Sequence, residues 1–178
     1  MIELKKIKKN DKQSLISIRE IYKNSFPPDE RRDFEFVTEL IDNKLFTLYG
    51  IIFENNTIGM LSGWSFIDFT YIEHFAIDSK FRNNGAGSFI FQKFINQTTN
   101  KIILEVDLPT DEISLKRIKF YTKFGFSICK ETYIQPPYDK KKEAVPMLIM
   151  SNVDIESFED FEYLKNTIYK NVYSVSNI

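Results

Sequence analysis

Cysteine and histidine are almost missing: Cys129 and His74 are the only ones among 178 residues. One cysteine excludes a disulfide framework within the chain and a cysteine zinc cluster. One histidine leaves a single candidate for a histidine metal site, a Ser-His-Asp triad or a Cys-His pair, so no metal is expected. Cys129 follows Gly-Phe-Ser-Ile in a strand-like run and reads as a small packed hydrophobe, not a nucleophile. Excess charge of one sign is also missing. Lys and Arg total 24 against 25 Asp and Glu, a formal net charge of −1. That gives no general signal for nucleic acid. The lysines of LKKIKKNDK, residues 4–12, read as a solvated edge strand and turn. No apolar run approaches the roughly 18 residues of a membrane span. MIELKKIKKND lacks the apolar stretch of a signal peptide. The expectation is a cytoplasmic protein with no nucleic-acid or membrane partner.

What is present is material for a core. The chain is 43% hydrophobic and includes 17 Phe and 9 Tyr, which argues against disorder. Residues 2–7 alternate and predict a strand. Asp11 can cap a helix with Leu15, Ile18, Ile21 and Tyr22 on one face, ended by Phe26-Pro27-Pro28. A second helix is expected over 34–42. Strands over 45–54 and 57–67 flank Asn55-Asn56, a hairpin turn pair. Further strands are expected at 71–77, 101–106, 126–134 and 146–150, with helices at 85–96, 111–124 and 158–172. Gly125 sits where a helix C-terminus needs a left-handed residue. Hairpins followed by strand-helix-strand crossovers predict an α+β, or mixed α/β, class. The sheet should be mixed and mostly antiparallel, with helices on both faces. The main domain is expected over 1–150, with 151–178 as a helical extension packed on it or at a dimer contact.

Between the strand at 71–77 and the next helix lies FRNNGAGSF, residues 81–89. A helix N-terminus offers unpaired N–H groups and the positive end of the helix dipole. Glycines there let a phosphate approach the backbone closely, and Arg82 adds a fixed positive charge. The stretch reads as a pyrophosphate cradle. It is not a P-loop, because no Gly-Lys-Ser/Thr follows, and Gly85-Ala86-Gly87 lacks the third glycine of a dinucleotide fingerprint.

Downstream, residues 119–126 read KFYTKFGF, an aromatic-Tyr-x-x-x-Gly-Phe at a helix end. With the earlier R-x-x-G-x-G, this resembles the GCN5-related N-acetyltransferase (GNAT) superfamily. FPPDERR (26–32) and YIQPPY (133–138) look like members of a bacterial GNAT group. Ser114 and Arg117 stand where the family often has Asn and Ala. The resemblance implies the GNAT fold, with acetyl-CoA as co-substrate and transfer of its acetyl group to a primary amine in a ternary complex. The acceptor would be a small molecule or a peptide, and the protein a monomer or homodimer. It implies that Arg82, Asn83, Asn84, Gly85, Ala86, Gly87 and Ser88 hold the pyrophosphate. Phe75, Ala76 and Ile77 would offer backbone groups to the pantetheine arm.

The chemistry asks for three things. An amine acceptor must lose a proton, because only roughly one lysine amine in a few thousand is neutral at pH 7. An oxyanion wants a backbone N–H. The leaving thiolate wants a donor, and the resemblance places Tyr121 there. Two carboxylates compete for the base: Glu73 on the strand before the loop, and Glu105 inside the apolar run IILEVDL. A glutamate in such a run is costly unless used or paired. The ribosomal-protein N-terminal acetyltransferases look similar around Leu104-Glu105-Val106, with their base where Glu105 stands. His74 follows Glu73, and strand alternation predicts that it points to the opposite face as a structural residue. Glu30, Tyr133 and Tyr138 sit in loops where a carboxylate with aromatics suits a cationic amine. The alternative from another class is a non-catalytic acyl-CoA-binding module.

Overall fold

The computed structural model describes residues 1–175. The chain divides into two compact units, Met1–Asn100 and Lys101–Ile178. The first holds β1 (Ile2–Lys6), α1 (Lys12–Ser25), α2 (Phe34–Glu39), β2 (Phe46–Phe53), β3 (Asn56–Ser65), β4 (Phe69–Ile77) and α3 (Ala86–Gln97). Its strands pair in chain order, all antiparallel. Single 3-10 turns occupy Pro28–Glu30, Leu40–Asp42 and Ser79–Phe81.

Alternation along the strands feeds two apolar layers. Leu15, Ile18, Ile21 and Tyr22 of α1 are buried on one face, as their helical spacing predicts. The Tyr22 ring meets His74 of β4 there at 4.8 Å between centroids. On the opposite face, Phe91 and Phe94 of α3 pack on Phe75 of β4 and Tyr49 of β2. Helices therefore cover both faces of these strands. Full burial of each such side chain is worth about 1.5–3 kcal/mol.

The second unit holds β5 (Lys101–Asp107), α4 (Glu112–Thr122), β6 (Ser127–Ile128), β7 (Tyr133–Gln135), β8 (Val145–Ser151) and α5 (Phe158–Asn171). β8 lies between β5 on one edge and both β6 and β7 on the other, again antiparallel. Asp111 and Ser114 form a reciprocal capping box at the start of α4. Gly125 has φ +84° just after α4, as expected. The expected extension 151–178 contains α5, and its residues 176–178 lie outside the described residues.

Some boundaries differ from expectation. The β2–β3 turn is centred one residue earlier than Asn55-Asn56, because Glu54 and Asn55 take the left-handed pair, φ 48° and 64°. Residues 126–134 are not one strand. They break at 129–132 into β6 and β7, which meet different ends of β8. The helix expected over 34–42 tightens into a 3-10 turn at Leu40. The Asp11 carboxylate accepts from Lys8 N and Lys5 Nζ, so it closes the turn before α1 and does not cap its first turn.

Candidate active site

The phosphate-loop residues lie in the first unit, at the junction of β4 and α3. Asp78 accepts from Lys80 N and starts the 3-10 turn. Arg82 Nε donates to the Ile77 carbonyl at 2.8 Å and Nη2 to Ser25 Oγ at 3.3 Å. The guanidinium thus fastens the loop to the end of β4 while bringing a positive charge. Asn83 and Gly85 take left-handed conformations, φ 65° and 84°. Asn84 Oδ1 accepts from Ala86 N. These turns present the first N–H groups of α3, a 12-residue helix, at its N-terminus. At Gly87 a Cβ would stand 3.4 Å from Ile77 Cγ1, an ordinary contact where α3 approaches β4. The residues fit a diphosphate: exposed backbone donors, a cation, and little side-chain bulk.

Phe75, Ala76 and Ile77 pair with Leu61, Met60 and Gly59 of β3, and Phe75 packs its ring on Phe91. Two residues earlier the register slips. Ser62 opposes His74, yet Gly63 opposes Ile72, so Glu73 is the extra residue of a β-bulge. The bulge overturns the expectation that Glu73 and His74 face opposite ways. Trp64 Nε1 donates to Glu73 Oε2 at 2.8 Å, while Ser62 Oγ lies 3.4 Å from His74 Nδ1. Ser62 and Trp64 share one face of β3, so Glu73 and His74 share it too.

Glu73 is deeply engaged. Its other oxygen takes Arg32 Nε and Nη2, each at 3.0 Å, and the side chain is 2% exposed. Arg32 also lies over the Trp64 ring, 5.9 Å from its centroid. Three N–H donors therefore hold this carboxylate. His74 is clamped between the Tyr22 and Phe26 rings. Its Nε2 lies 3.0 Å from the Glu30 carbonyl, which can only accept, so Nε2 carries the proton. Burial pushes the imidazole below its usual value, and the ring stays neutral. Glu30 meets His74 through its main chain.

The second unit holds Glu105, Tyr121, Tyr133 and Tyr138. Glu105 opposes Ile149 of β8 and Tyr133 opposes Met147, so both side chains rise from one face, on either side of β8. The Tyr133 hydroxyl donates to Glu105 Oε1. The Tyr173 hydroxyl donates to Oε2 at 2.9 Å. Tyr138 packs on Tyr173, with centroids 4.9 Å apart. Tyr121 is buried at the end of α4 beside Phe120 and Phe126. Burial, with the Asp107 charge adding to it and Arg117 opposing it, pushes its hydroxyl up to about 12. Arg117, one turn before Tyr121, pairs with Asp107. Cys129 is half-buried, and burial pushes its thiol up to about 11, so it is no thiolate at neutral pH.

A cavity of about 300 Å³ in the first unit is lined by hydroxyls and amides, among them Thr47, Tyr49, Thr70, Gln97 and Asn100. It contains none of the residues considered for the reaction. Among the described residues, no group of three or more His, Cys, Asp or Glu could hold a metal ion, and no helix is long and apolar enough to cross a membrane.

A family model described as "Acetyltransferase (GNAT) family" matches residues 15–126. The chain belongs to the GNAT acetyltransferase family. A GNAT-family protein from Bacteroides thetaiotaomicron is 31% identical, with TM-score 0.90 over 98% of this chain and 99% of that one. Two further solved structures share the GNAT fold. One is the ribosomal-protein-S18-alanine N-acetyltransferase of Escherichia coli, with 14% identity, TM-score 0.62, and 85% and 92% of the two chains covered. The other is Arabidopsis thaliana Naa50 in complex with the bisubstrate analogue CoA-Ac-MVNAL, with 20% identity, TM-score 0.63, and 88% and 99% covered. No curated protein matches the chain. This GNAT chain thus has the mixed α/β, mostly antiparallel architecture that its motif pair implies.

The sequence reading missed Arg32, Trp64 and Tyr173. Tyr173 follows Tyr169 at i+4, so both fall on one side of the helix end. Trp64 is the only tryptophan, and buried indole N–H groups usually find an acceptor.

Proposed function

We propose that this GNAT protein is an N-acetyltransferase that moves an acetyl group from acetyl-CoA to a primary amine by direct attack in a ternary complex. The observation that carries this reading is the contrast between its two carboxylates. Glu73 is locked into N–H donors with a side chain 2% exposed. Glu105 is partly exposed on β5 and held by hydroxyls. Glu105 is therefore the general base, taking the proton of the incoming ammonium directly or through one water.

Bound acetyl-CoA supplies an activated acyl group as a thioester. Arg82 and the backbone from Asn83 to Ser88 hold its diphosphate, and Phe75, Ala76 and Ile77 offer main-chain groups to the arm. At Glu73 the side chain is covered while the residue as a whole is only half-buried, so its main chain is the accessible part. That bulged backbone is the donor to the oxyanion. Tyr121 keeps its proton at neutral pH. With its hydroxyl at about 12 and a thiol near 8.5, full transfer is uphill by about 3.5 units, or about 5 kcal/mol. Tyr121 therefore donates a hydrogen bond to the departing sulfur, and a proton from solvent completes the step. The Tyr138 ring, over which Lys142 Nζ stands 5.9 Å from the centroid, would receive a cationic acceptor in place of that ammonium, and Tyr133 serves the acceptor through Glu105. The acceptor is a small-molecule or peptide amine.

The test is free-thiol release from acetyl-CoA across diamines, amino sugars, amino acids and short peptides. It compares wild type with Glu105→Gln, Glu73→Gln and Tyr121→Phe. Amine-dependent release, lost in Glu105→Gln and kept in Glu73→Gln, is the expected result. Saturable acetyl-CoA binding with no release for any amine would make the chain an acyl-CoA-binding module.

A further inference from the structure

We infer that the end of the C-terminal helix is part of the catalytic apparatus: Tyr173, together with Tyr133, positions Glu105 and sets its proton affinity. This rests on the reading of Glu105 as base.

Three observations converge. First, α5 buries Phe161, Leu164, Ile168 and Tyr169 along one stripe, and Val172 and Tyr173 continue it past the helix end. The stripe fixes the rotation of the helix about its axis, and with it the direction of Tyr173. Second, the helix end is closed. Val172 N donates to Ile168 O, Ser174 is left-handed with φ 58°, and Val175 N donates back to Tyr169 O at 3.0 Å. That seven-to-one bond closes the chain end over a left-handed serine, where glycine is usual. A left-handed non-glycine costs about 1 kcal/mol or more, and the turn persists because both flanking tyrosines are anchored. Third, the hydroxyls are aimed at different acceptors. Tyr169 donates to the Ile134 carbonyl at 2.5 Å, at the centre of β7, while Tyr173 and Tyr133 donate to opposite oxygens of Glu105.

The division of labour follows. Tyr169 docks α5 on β7, and its ring lies 5.7 Å from that of Tyr133. Tyr173 and Tyr133 hold the carboxylate between two neutral donors. A hydroxyl on each oxygen fixes the carboxylate plane. It favours the ionised form by hydrogen bonding without adding a cation that would compete for the acceptor ammonium. Glu105 faces the Tyr133 hydroxyl from β7 and the Tyr173 hydroxyl from the end of α5, its charge raises the Tyr169 hydroxyl, and apolar Ile149 lies opposite it on β8.

The test uses the full chain and the conservative variants Tyr173→Phe, Tyr133→Phe and Tyr169→Phe, each of which keeps its ring. The pH profile of kcat/KM is measured with one amine, whose own ionisation is the same for every variant. The carboxyl carbon of Glu105 is followed in parallel by NMR of the protein labelled with 13C-glutamate, a readout that needs no acceptor. Tyr173→Phe and Tyr133→Phe should each move the titration of Glu105 and the acid limb of the profile upward by about one unit. Tyr169→Phe should lower the melting temperature and move neither. If Tyr173→Phe leaves both titrations where they were, Tyr173 is only a packing residue and the inference fails, while Glu105 can still be the base. If Glu105→Gln retains full thiol release, the base assignment fails. Should Tyr173→Phe not fold, Tyr133→Phe decides by the same two readouts.

Discussion

Removing the guanidinium of Arg32 asks whether Glu73 is a structural ion or a spare base. The two side chains are 14% and 2% exposed, and the contacts are 3.0 Å. Arg32→Ala leaves an uncompensated carboxylate beside the indole of Trp64. Breaking a buried pair from one side costs about 3–5 kcal/mol. In a chain of this length each kcal/mol lowers Tm by about 2–4 °C, so a fall of about 6–20 °C is expected. The double variant Arg32→Ala, Glu73→Gln removes the charge and keeps a carbonyl oxygen for Trp64 Nε1–H. It should recover more than half of the loss, because most of the cost is the stranded charge and not the missing contact. Scanning calorimetry and urea titration of the four species close the cycle. A fall below about 2 °C for Arg32→Ala, or a double variant no better than Arg32→Ala, would refute the reasoning. Thiol release measured well below the lowest Tm then separates structure from chemistry: Glu73→Gln should keep turnover within a few-fold of wild type.

Tyr121→Phe should lower kcat by about 10- to 100-fold with little change in KM, the worth of a hydrogen bond to a charged group. Because the Tyr121 hydroxyl is pushed up to about 12, a basic limb near pH 10 that disappears in this variant would contradict the assignment. His74 is held neutral by burial, with its folded value below its ordinary one. Stability should therefore be full above about pH 6.5 and fall as pH drops below it, where the unfolded chain binds the proton first. His74→Gln should flatten the Tm difference between pH 7.5 and 5.5. Gly87→Ala meets Ile77 Cγ1 at an ordinary 3.4 Å, so it should keep or raise Tm and leave coenzyme A binding by calorimetric titration within a few-fold of wild type, because the new methyl points at β4 and not at the loop's N–H groups. Gly85→Ala has open space but φ +84°, and should lose about 1–2 kcal/mol of stability.

The strands and helices were legible because their apolar residues keep the periods of the elements they form. Leu15, Ile18, Ile21 and Tyr22 name one face of α1, and all four are buried. Gly125 was legible because a helix end needs a left-handed residue, and it has φ +84°; Gly85 was read only for close approach of a phosphate, and its equal φ was not foreseen. The break between β6 and β7 was not, since residues 126–134 carry no strong turn signal and the split is set by which end of β8 each piece can reach. The bulge at Glu73 defeats strand alternation, and its mark lies on the neighbouring strand. A Cβ on Gly63 would stand 3.0 Å from the Tyr71 carbonyl, and a glycine inside a strand is a sign of such close backbone approach.

The two glutamates show where sequence reading stops. Each lies in an apolar strand run, where a carboxylate must be used or paired. What separates them is distant in the chain. Arg32 comes from the loop before α2 and closes over Glu73, whereas Tyr173, 68 positions beyond Glu105, comes from the end of α5. A cation and an indole N–H make a carboxylate a fixture of the fold, since taking a proton there means giving up an ion pair in a dry place. Two phenols make it a fixed acceptor that can still gain a proton, because neutral donors tolerate both states of the acid. Local pattern can say that a glutamate has a purpose. Which purpose depends on partners that only the folded chain supplies.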